Sequence, residues 1–163
     1  MAEAKIKKAD IKIGSKSADK EAKSSATTRK QEPDKGGFWW GTGRRKSAVA
    51  RVRIKPGKGK LLVNKRELYN YFTGSRDRKA VVSPLKAVDA EKGFDVFINV
   101  NGGGTTGQAE AALLGIARAL KNYDESFLQD LREGGYLTRD SRMVERKKPG
   151  QKGARKSFQF SKR

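Results

Sequence analysis

The chain contains no cysteine and no histidine, and only 4 prolines among 163 residues. Without cysteine there is no disulfide framework. Without cysteine and histidine together, the usual zinc and haem sites and histidine-based general acid–base schemes are excluded. An enzyme built on this sequence would have to work with carboxylates, lysine, tyrosine or serine alone. Long apolar runs are missing as well. Nothing approaches the roughly 18–20 residues needed to cross a bilayer, and no signal-type apolar region follows the charged start. These absences predict a soluble intracellular chain with no membrane partner, no catalytic residues, no metal and no cofactor.

What is abundant is positive charge. The sequence holds 38 Lys and Arg against 18 Asp and Glu, a formal net charge of +20. Such an excess repels itself unless a polyanion neutralises it, which makes nucleic acid the leading partner class. The length suits one domain with irregular flanks.

Three regions differ in character. Residues 1–36 are rich in Ala, Ser and Lys, lack aromatics and mix ten cations with six acids. They cannot bury enough apolar surface to order themselves, and a disordered extension is expected. A mitochondrial transit peptide is the alternative, but such segments are Arg-rich and acid-poor, whereas Arg29 is the sole arginine here.

The folded domain is expected over 37–138. Ala48, Ala50, Val52 and Ile54 alternate with Val49, Arg51 and Arg53, the period of a strand with one buried face and one face showing cations. Leu61–Val63 reads as a second strand, and Phe94, Val96, Ile98 and Val100 share one face of a third. Asn64 stands three residues before Glu67, a cap-like spacing that predicts a helix through Leu68, Tyr71 and Phe72, ending near Gly74. Ser83-Pro84 predicts another helix start, with Gly93 as its stop. The apolar stripe Ala109, Ala112, Leu113, Ile116, Ala117 and Leu120 predicts a long helix packed flat on a sheet. A last short helix holds Phe127, Leu128 and Leu131 and stops at Gly134-Gly135. The order of elements implies an α+β fold, a four-stranded mixed sheet with helices on one face.

Residues 139–163 form the third region, with ten cations against two acids and no apolar period. Alone, such a tail is an extended coil.

Two motifs bear on chemistry. In GTGRRKSAVARVR, Arg44, Arg45 and Lys46 are placed in a turn, with Arg51 and Arg53 on one strand face. Guanidinium groups so arranged can grip phosphate oxygens in pairs. Phe38, Trp39 and Trp40 just upstream either stack on bases or belong to the core. NGGGTTGQAE lies between the strongest strand and the strongest helix, where a glycine-rich turn can aim backbone N–H groups at a phosphate. It is not a P-loop, because Gly107 is followed by Gln108 and Ala109 rather than Lys and a hydroxyl. Nor does it have the dinucleotide spacing. A tight turn, an RNA phosphate contact and a nucleotide site are its three readings. Asp124, Glu125, Asp130 and Glu133 read as helix-surface charge.

Taken together, GTGRRKSAVARVRIKPGKGKLLVNKRELYNYF, NGGGTTGQAEAALLGIARAL and LTRDSRMVERKKPG…ARK…QFSKR closely resemble the bacterial small-subunit ribosomal protein nine family, from about Trp39 to Arg163. The resemblance implies a domain like the second domain of small-subunit protein five, with a left-handed crossover. It implies a structural, non-enzymatic role as a monomer in the head of the small subunit, in the cytoplasm. There the chain would bind ribosomal RNA beside head proteins such as seven, ten and fourteen. The ribosomal RNA contacts so expected are Arg44, Arg45, Lys46, Arg51, Arg53, Gly103, Gly104, Thr105, Gln108, Arg139, Arg142, Arg146, Lys147, Lys148, Lys152, Arg155 and Lys156. The tail would thread inward to the peptidyl site, where Ser161, Lys162 and Arg163 meet the anticodon stem-loop of the bound transfer RNA. About 25 extended residues span up to roughly 80 Å, enough for such a path. Ser141, Gly153 and Phe158 depart from the family pattern of Pro, a cation and Pro, which implies a more flexible tail. Two rivals are a small-molecule kinase using the glycine loop and a generic basic nucleic-acid binder.

Overall fold

The computed structural model describes residues 32–161. Residues 1–31 of the expected extension, with Lys162 and Arg163, lie outside the described residues.

The three strands read from alternation are present. In β2 (Ala48–Pro56) the residues Ala48, Ala50, Val52 and Ile54 are fully buried. Their cross-strand partners in β5 (Phe94–Asn101) are Val100, Ile98, Val96 and, beyond them, Phe94, which are buried on the same side. The short β3 (Leu61–Val63) pairs with β5 in parallel. A strand of period two can put its apolar set on one side only, so this half of the fold follows from the sequence.

The sheet has five strands, not four, in the order β1 (Trp39–Arg45), β2, β5, β3, β4 (Arg66–Glu67), with every pair antiparallel except β3 and β5. The unforeseen edge strand β1 (Trp39–Arg45) takes up Arg44 and Arg45, expected in a turn, so that only Lys46 and Ser47 remain to connect it to β2. Its core-facing positions include Gly41 and Gly43, which give no hydrophobic signal. They are small because helix α3 (Thr105–Tyr123) lies against them. A Cβ on Gly43 would overlap the Ala111 carbonyl and sit 2.6 Å from the Gly115 nitrogen, and one on Gly41 would sit 2.6 Å from the Ala119 nitrogen. The helix answers with its own small residues, Ala111, Gly115 and Ala119, all buried. It is therefore buried nearly all round, on more than the single stripe expected, and Leu113 from that stripe is only half-buried. Polar side chains of α3 also finish the exposed edge. Arg118 Nη1 donates to the Thr42 carbonyl at 2.7 Å, and Asn122 Nδ2 to the Trp40 carbonyl at 2.9 Å. These bonds occupy edge acceptors that another strand would otherwise use.

Two helix starts fall elsewhere than expected. Asn64 and Lys65 adopt left-handed backbone (φ 48° and 67°) and turn β3 into β4 (Arg66–Glu67), after which α1 spans only Leu68–Tyr71. The Asn64 side chain extends the β3–β5 ladder instead, accepting from Val100 N at 2.9 Å and donating to its carbonyl at 3.0 Å. Helix α2 (Ser75–Ala87) begins well before Ser83-Pro84 and runs through both. Pro84 has no N–H for the Ala80 carbonyl. The Ser83 hydroxyl supplies that donor at 2.8 Å, while the proline ring is buried. After α3, a single 3₁₀ turn at Glu125–Phe127 leads into α4 (Leu128–Glu133), which is followed by Gly134 as its cap and by Gly135 in the left-handed region. Phe72, Ile54, Ile98, Ile116, Leu120 and Leu131 are the largest fully buried side chains of the core between sheet and helices. Among the described residues, no helix is long and apolar enough to cross a membrane.

The close approach of α3 to β1 generates a stability prediction. Gly43→Ala should destabilise the chain by about 2–3 kcal/mol, because backbone on both sides must move apart. Gly104→Ala, whose Cβ would meet nothing within 4 Å, should stay within about 0.5 kcal/mol of the parent. Urea unfolding curves compare the two, and equal midpoints would show that the glycine contact is not limiting.

Candidate nucleic-acid interface

The fold gathers the motifs that sequence leaves scattered. The β1–β2 turn and the β5–α3 loop lie side by side. A Cβ on Gly102 would be 2.6 Å from the Ser47 carbonyl, and one on Gly103 would be 3.0 Å from the Ala48 Cβ. Gly102 and Gly103 have φ of 74° and 65°, which only glycine adopts freely, while Gly104 precedes Thr105 at the start of α3. Gln108 braces this loop from within the helix. Its Nε2 donates to the Gly102 carbonyl at 3.1 Å, and its Oε1 accepts from the Tyr71 hydroxyl at 2.8 Å. Lys46, at the tip of the neighbouring turn, holds the left-handed conformation (φ 51°) with a Cβ present, a small strain retained at an exposed cation.

Arg45 closes the third side. Its side chain points inward from the end of β1 and is buried. Nε pairs with the Glu110 carboxylate, Nη2 lies 2.9 Å from Asp140 Oδ2, and Nη1 donates to the Arg142 carbonyl at 2.8 Å. One guanidinium thus ties the hairpin, α3 and the root of the tail together, using its fixed fork of donors as lysine could not. Arg44, which precedes it in the chain, and Arg139, which precedes its partner Asp140, are exposed beside it. On the sheet face away from the helices, Arg44 stands at one end and Arg51 and Arg53 follow along β2. Trp40 and Arg53 are cross-strand partners, as are Arg53 and Phe97. Among the described residues, Arg44, Lys46, Arg51 and Arg53 enter no ion pair.

The tail carries no helix or strand among its described residues, but its two acids shape it. Asp140 accepts from the Arg142 backbone N–H at 2.9 Å and from its guanidinium at 2.7–3.1 Å. These bonds from Arg142, helped by the charge of Arg45, hold the Asp140 carboxyl far below the usual carboxylate range. Glu145 receives Arg155, ten residues on, through Nε at 2.9 and 3.1 Å and through Nη2. The Arg155 guanidinium lowers the Glu145 pKa in turn. A loop is thereby closed within the run, and Lys152 and Gly153 N–H both reach the Lys156 carbonyl. Arg146, Lys147, Lys148, Lys152 and Lys156 remain exposed and form no ion pair among the described residues, and Ser161 is exposed at the end of the described chain.

Of the aromatic run, Trp39 turns toward the core against Tyr123, with centroids 4.7 Å apart, and Trp40 turns outward. The sequence reading did not single out Phe97, which shares the outward rung with Trp40 and Arg53. Its position between Val96 and Ile98 on the opposite face of β5 was the available signal.

Comparison with known proteins bears on this arrangement. A family profile described as ribosomal protein S9/S16 matches residues 43–163. The small ribosomal subunit protein uS9 of Rhodopirellula baltica is 53% identical over 123 residues, covering 76% of this chain and 90% of that protein.

The Asp140 contact has a defined pH dependence. A depressed pKa means that the fold favours the ionised form, so the contact is complete at and above the ordinary value of 3.8 and is lost only as the pH falls through the depressed value well below it. Arg142 amide and guanidinium NMR shifts should stay flat from about pH 7 to about pH 4.5 and move only in stronger acid. Asp140→Asn should displace them at every pH. Titration of the Arg142 signals near neutral pH would contradict the assignment.

Proposed function

Because the chain belongs to the ribosomal protein S9/S16 family, we propose that it is a structural, non-enzymatic constituent of the small ribosomal subunit in the cytoplasm, binding ribosomal RNA. The observation that supports this best is the contrast among cations. Arg45, Arg142 and Arg155 are engaged by the acids near the tail, whereas Arg44, Lys46, Arg51 and Arg53 lie uncompensated on adjoining surfaces. Cations left without carboxylates on one side of a chain of net charge +20 are matched by a phosphate backbone.

In this reading the domain over 37–138 docks in the head of the subunit, near proteins such as seven, ten and fourteen. Arg44, Lys46, Arg51, Arg53, Gly103, Gly104 and Thr105 face RNA. Arg45 and Gln108 act by fixing the tail root and the glycine loop. The basic tail over 139–163 becomes ordered along RNA through Arg139, Arg142, Arg146, Lys147, Lys148, Lys152, Arg155 and Lys156. Its last residues Ser161, Lys162 and Arg163 touch the anticodon stem-loop of transfer RNA in the peptidyl site. The kinase alternative needs a free carboxylate at the glycine loop, and Glu110, one helical turn on, is paired with Arg45.

Neutralising about 6–10 phosphates should lower affinity for ribosomal RNA on the order of 10³- to 10⁵-fold between roughly 50 and 200 mM salt. Salt-insensitive binding in a filter or mobility assay would sink the reading. Deleting Ser161–Arg163 should weaken transfer RNA binding at the peptidyl site and leave small-subunit assembly nearly intact, as judged by sedimentation. Failed assembly with unchanged transfer RNA affinity would reverse the roles given to domain and tail.

A further inference from the structure

The sheet face turned away from the helices has more than charge. At one rung, Trp40, Arg53 and Phe97 stand side by side on β1, β2 and β5. The chain entering β1 folds back through a turn in which Asp34 N donates to the Phe38 carbonyl at 3.0 Å and Gly37 N to the Asp34 carbonyl at 2.7 Å. That turn lays Phe38 against Phe97 edge-on, with centroids 5.9 Å apart. The Arg53 guanidinium carbon is 5.0 Å from the Phe38 ring centre, 5.3 Å from Phe97 and 6.0 Å from Trp40. Lys55 Nζ is 5.6 Å from Phe38 and 5.8 Å from Phe97. Trp40 nonetheless keeps 45% of its surface in solvent, although the core is directly beneath the sheet. On the next rung, Thr42, Arg51 and Asn99 follow, and among the described residues their side chains make no hydrogen bond or ion pair.

Resting on the ribosomal RNA reading above, we propose that this face is a platform for unpaired nucleotides of that RNA, with bases stacked on Trp40 and the Arg53–Phe97 pair and phosphates held by Arg44, Arg51 and Lys55. Paired RNA presents phosphates and 2′-hydroxyls but hides the planes of its bases, so phosphate contacts alone leave exposed rings without a purpose. A splayed strand offers both a π-face and a backbone, which the alternation of rings and cations across this face matches. The charge of the face fits as well. Three acids border it: Asp95 and Asp34 are held by N–H donors, and Glu67 stands on the same rung at the far β4 edge, beyond Leu62. Asp95 takes Lys58 N at 2.9 Å and Lys60 N at 3.0 Å, and Asp34 takes Lys35 N at 2.8 Å and Trp40 Nε1 at 3.3 Å. Thr42 and Asn99 add the neutral donors and acceptors that read base edges.

The test uses the full chain with two probes of equal phosphate number, oligoadenylate and a fully paired RNA hairpin, at about 150 mM salt. Trp40→Leu keeps apolar area and removes the ring. It should weaken oligoadenylate binding about 10- to 100-fold and leave the hairpin within about threefold. In a Trp39→Phe background, oligoadenylate should quench the remaining emission of Trp40. Equal loss on both probes, or parent-like binding of Trp40→Leu to oligoadenylate, overturns the platform, the latter also being the outcome if a protein segment covers this face. Circular dichroism melts identify a misfolded variant, and Arg53→Lys, which retains charge without a stacking plane, then gives the same comparison. Co-sedimentation of the parent chain with small subunits in high salt is scored separately, so that loss of the ribosomal reading and loss of the platform are distinct results.

Discussion

Everything on the functional side depends on two backbones meeting without side chains between them. Strand β1 can join the sheet under α3 only because Gly41 and Gly43 present no Cβ to Ala111, Gly115 and Ala119. Close packing of this kind gains dispersion along the whole contact and tolerates no added methylene. Once β1 is seated, its alternation is fixed. Trp40, Thr42 and Arg44 must point outward, and Arg45 must point inward at the strand's end, where Glu110 and the tail root converge on it. The aromatic and cationic side chains proposed to meet RNA are thus placed by residues that never touch RNA.

Charge is organised on the same frame. A chain this basic could leave its acids unpaired over the surface, yet the carboxylates at the tail root and in the tail are each matched to an arginine. Glu110 and Asp140 engage Arg45, Asp140 also holds Arg142, and Glu145 holds Arg155. The exposed pairs made by Arg142 and Arg155 add little stability, so their value is geometric. They fix where the tail leaves the domain and which cations stay uncompensated.

Sequence periodicity revealed the parts of the fold that bury large apolar residues. Strand β5 and helix α3 declare themselves because Val, Ile and Leu must repeat at 2 or 3.6 residues to reach one core. Strand β1 stayed hidden because glycine holds its buried positions, and glycine reads as turn. Asn64 looked like a cap because the same amide can satisfy either a helix start or a ladder, and only tertiary context places Val100 within its reach. Ser83-Pro84 looked like a start because the rule against proline inside a helix does not anticipate a serine hydroxyl standing in for the lost N–H. For the site, residue type was legible: exposed arginines, a glycine loop and a basic tail all announce polyanion chemistry. Their convergence was not, since the β1–β2 turn, the β5–α3 loop and the tail root become neighbours only through the antiparallel pairing of β2 with β5. The Trp40–Arg53–Phe97 rung depends on that register as well, because a one-residue slip of β2 against β5 would put Arg53 and Phe97 on opposite faces of the sheet.

The acids of the tail also bear on how much of its described length varies freely. A segment tethered to a docked domain meets its own target at an effective concentration that falls roughly as the −3/2 power of the free linker length. Anchoring Asp140 and Arg142 to Arg45 moves the start of the free segment forward, and the Glu145–Arg155 bridge removes the ten-residue separation it spans from the freely varying contour. Both act before any nucleic acid is bound, so part of the ordering entropy is lost in the free protein rather than on binding. Two carboxylates in a run of cations then subtract little from attraction to phosphate and add direction, which a uniformly basic tail of the same length would lack.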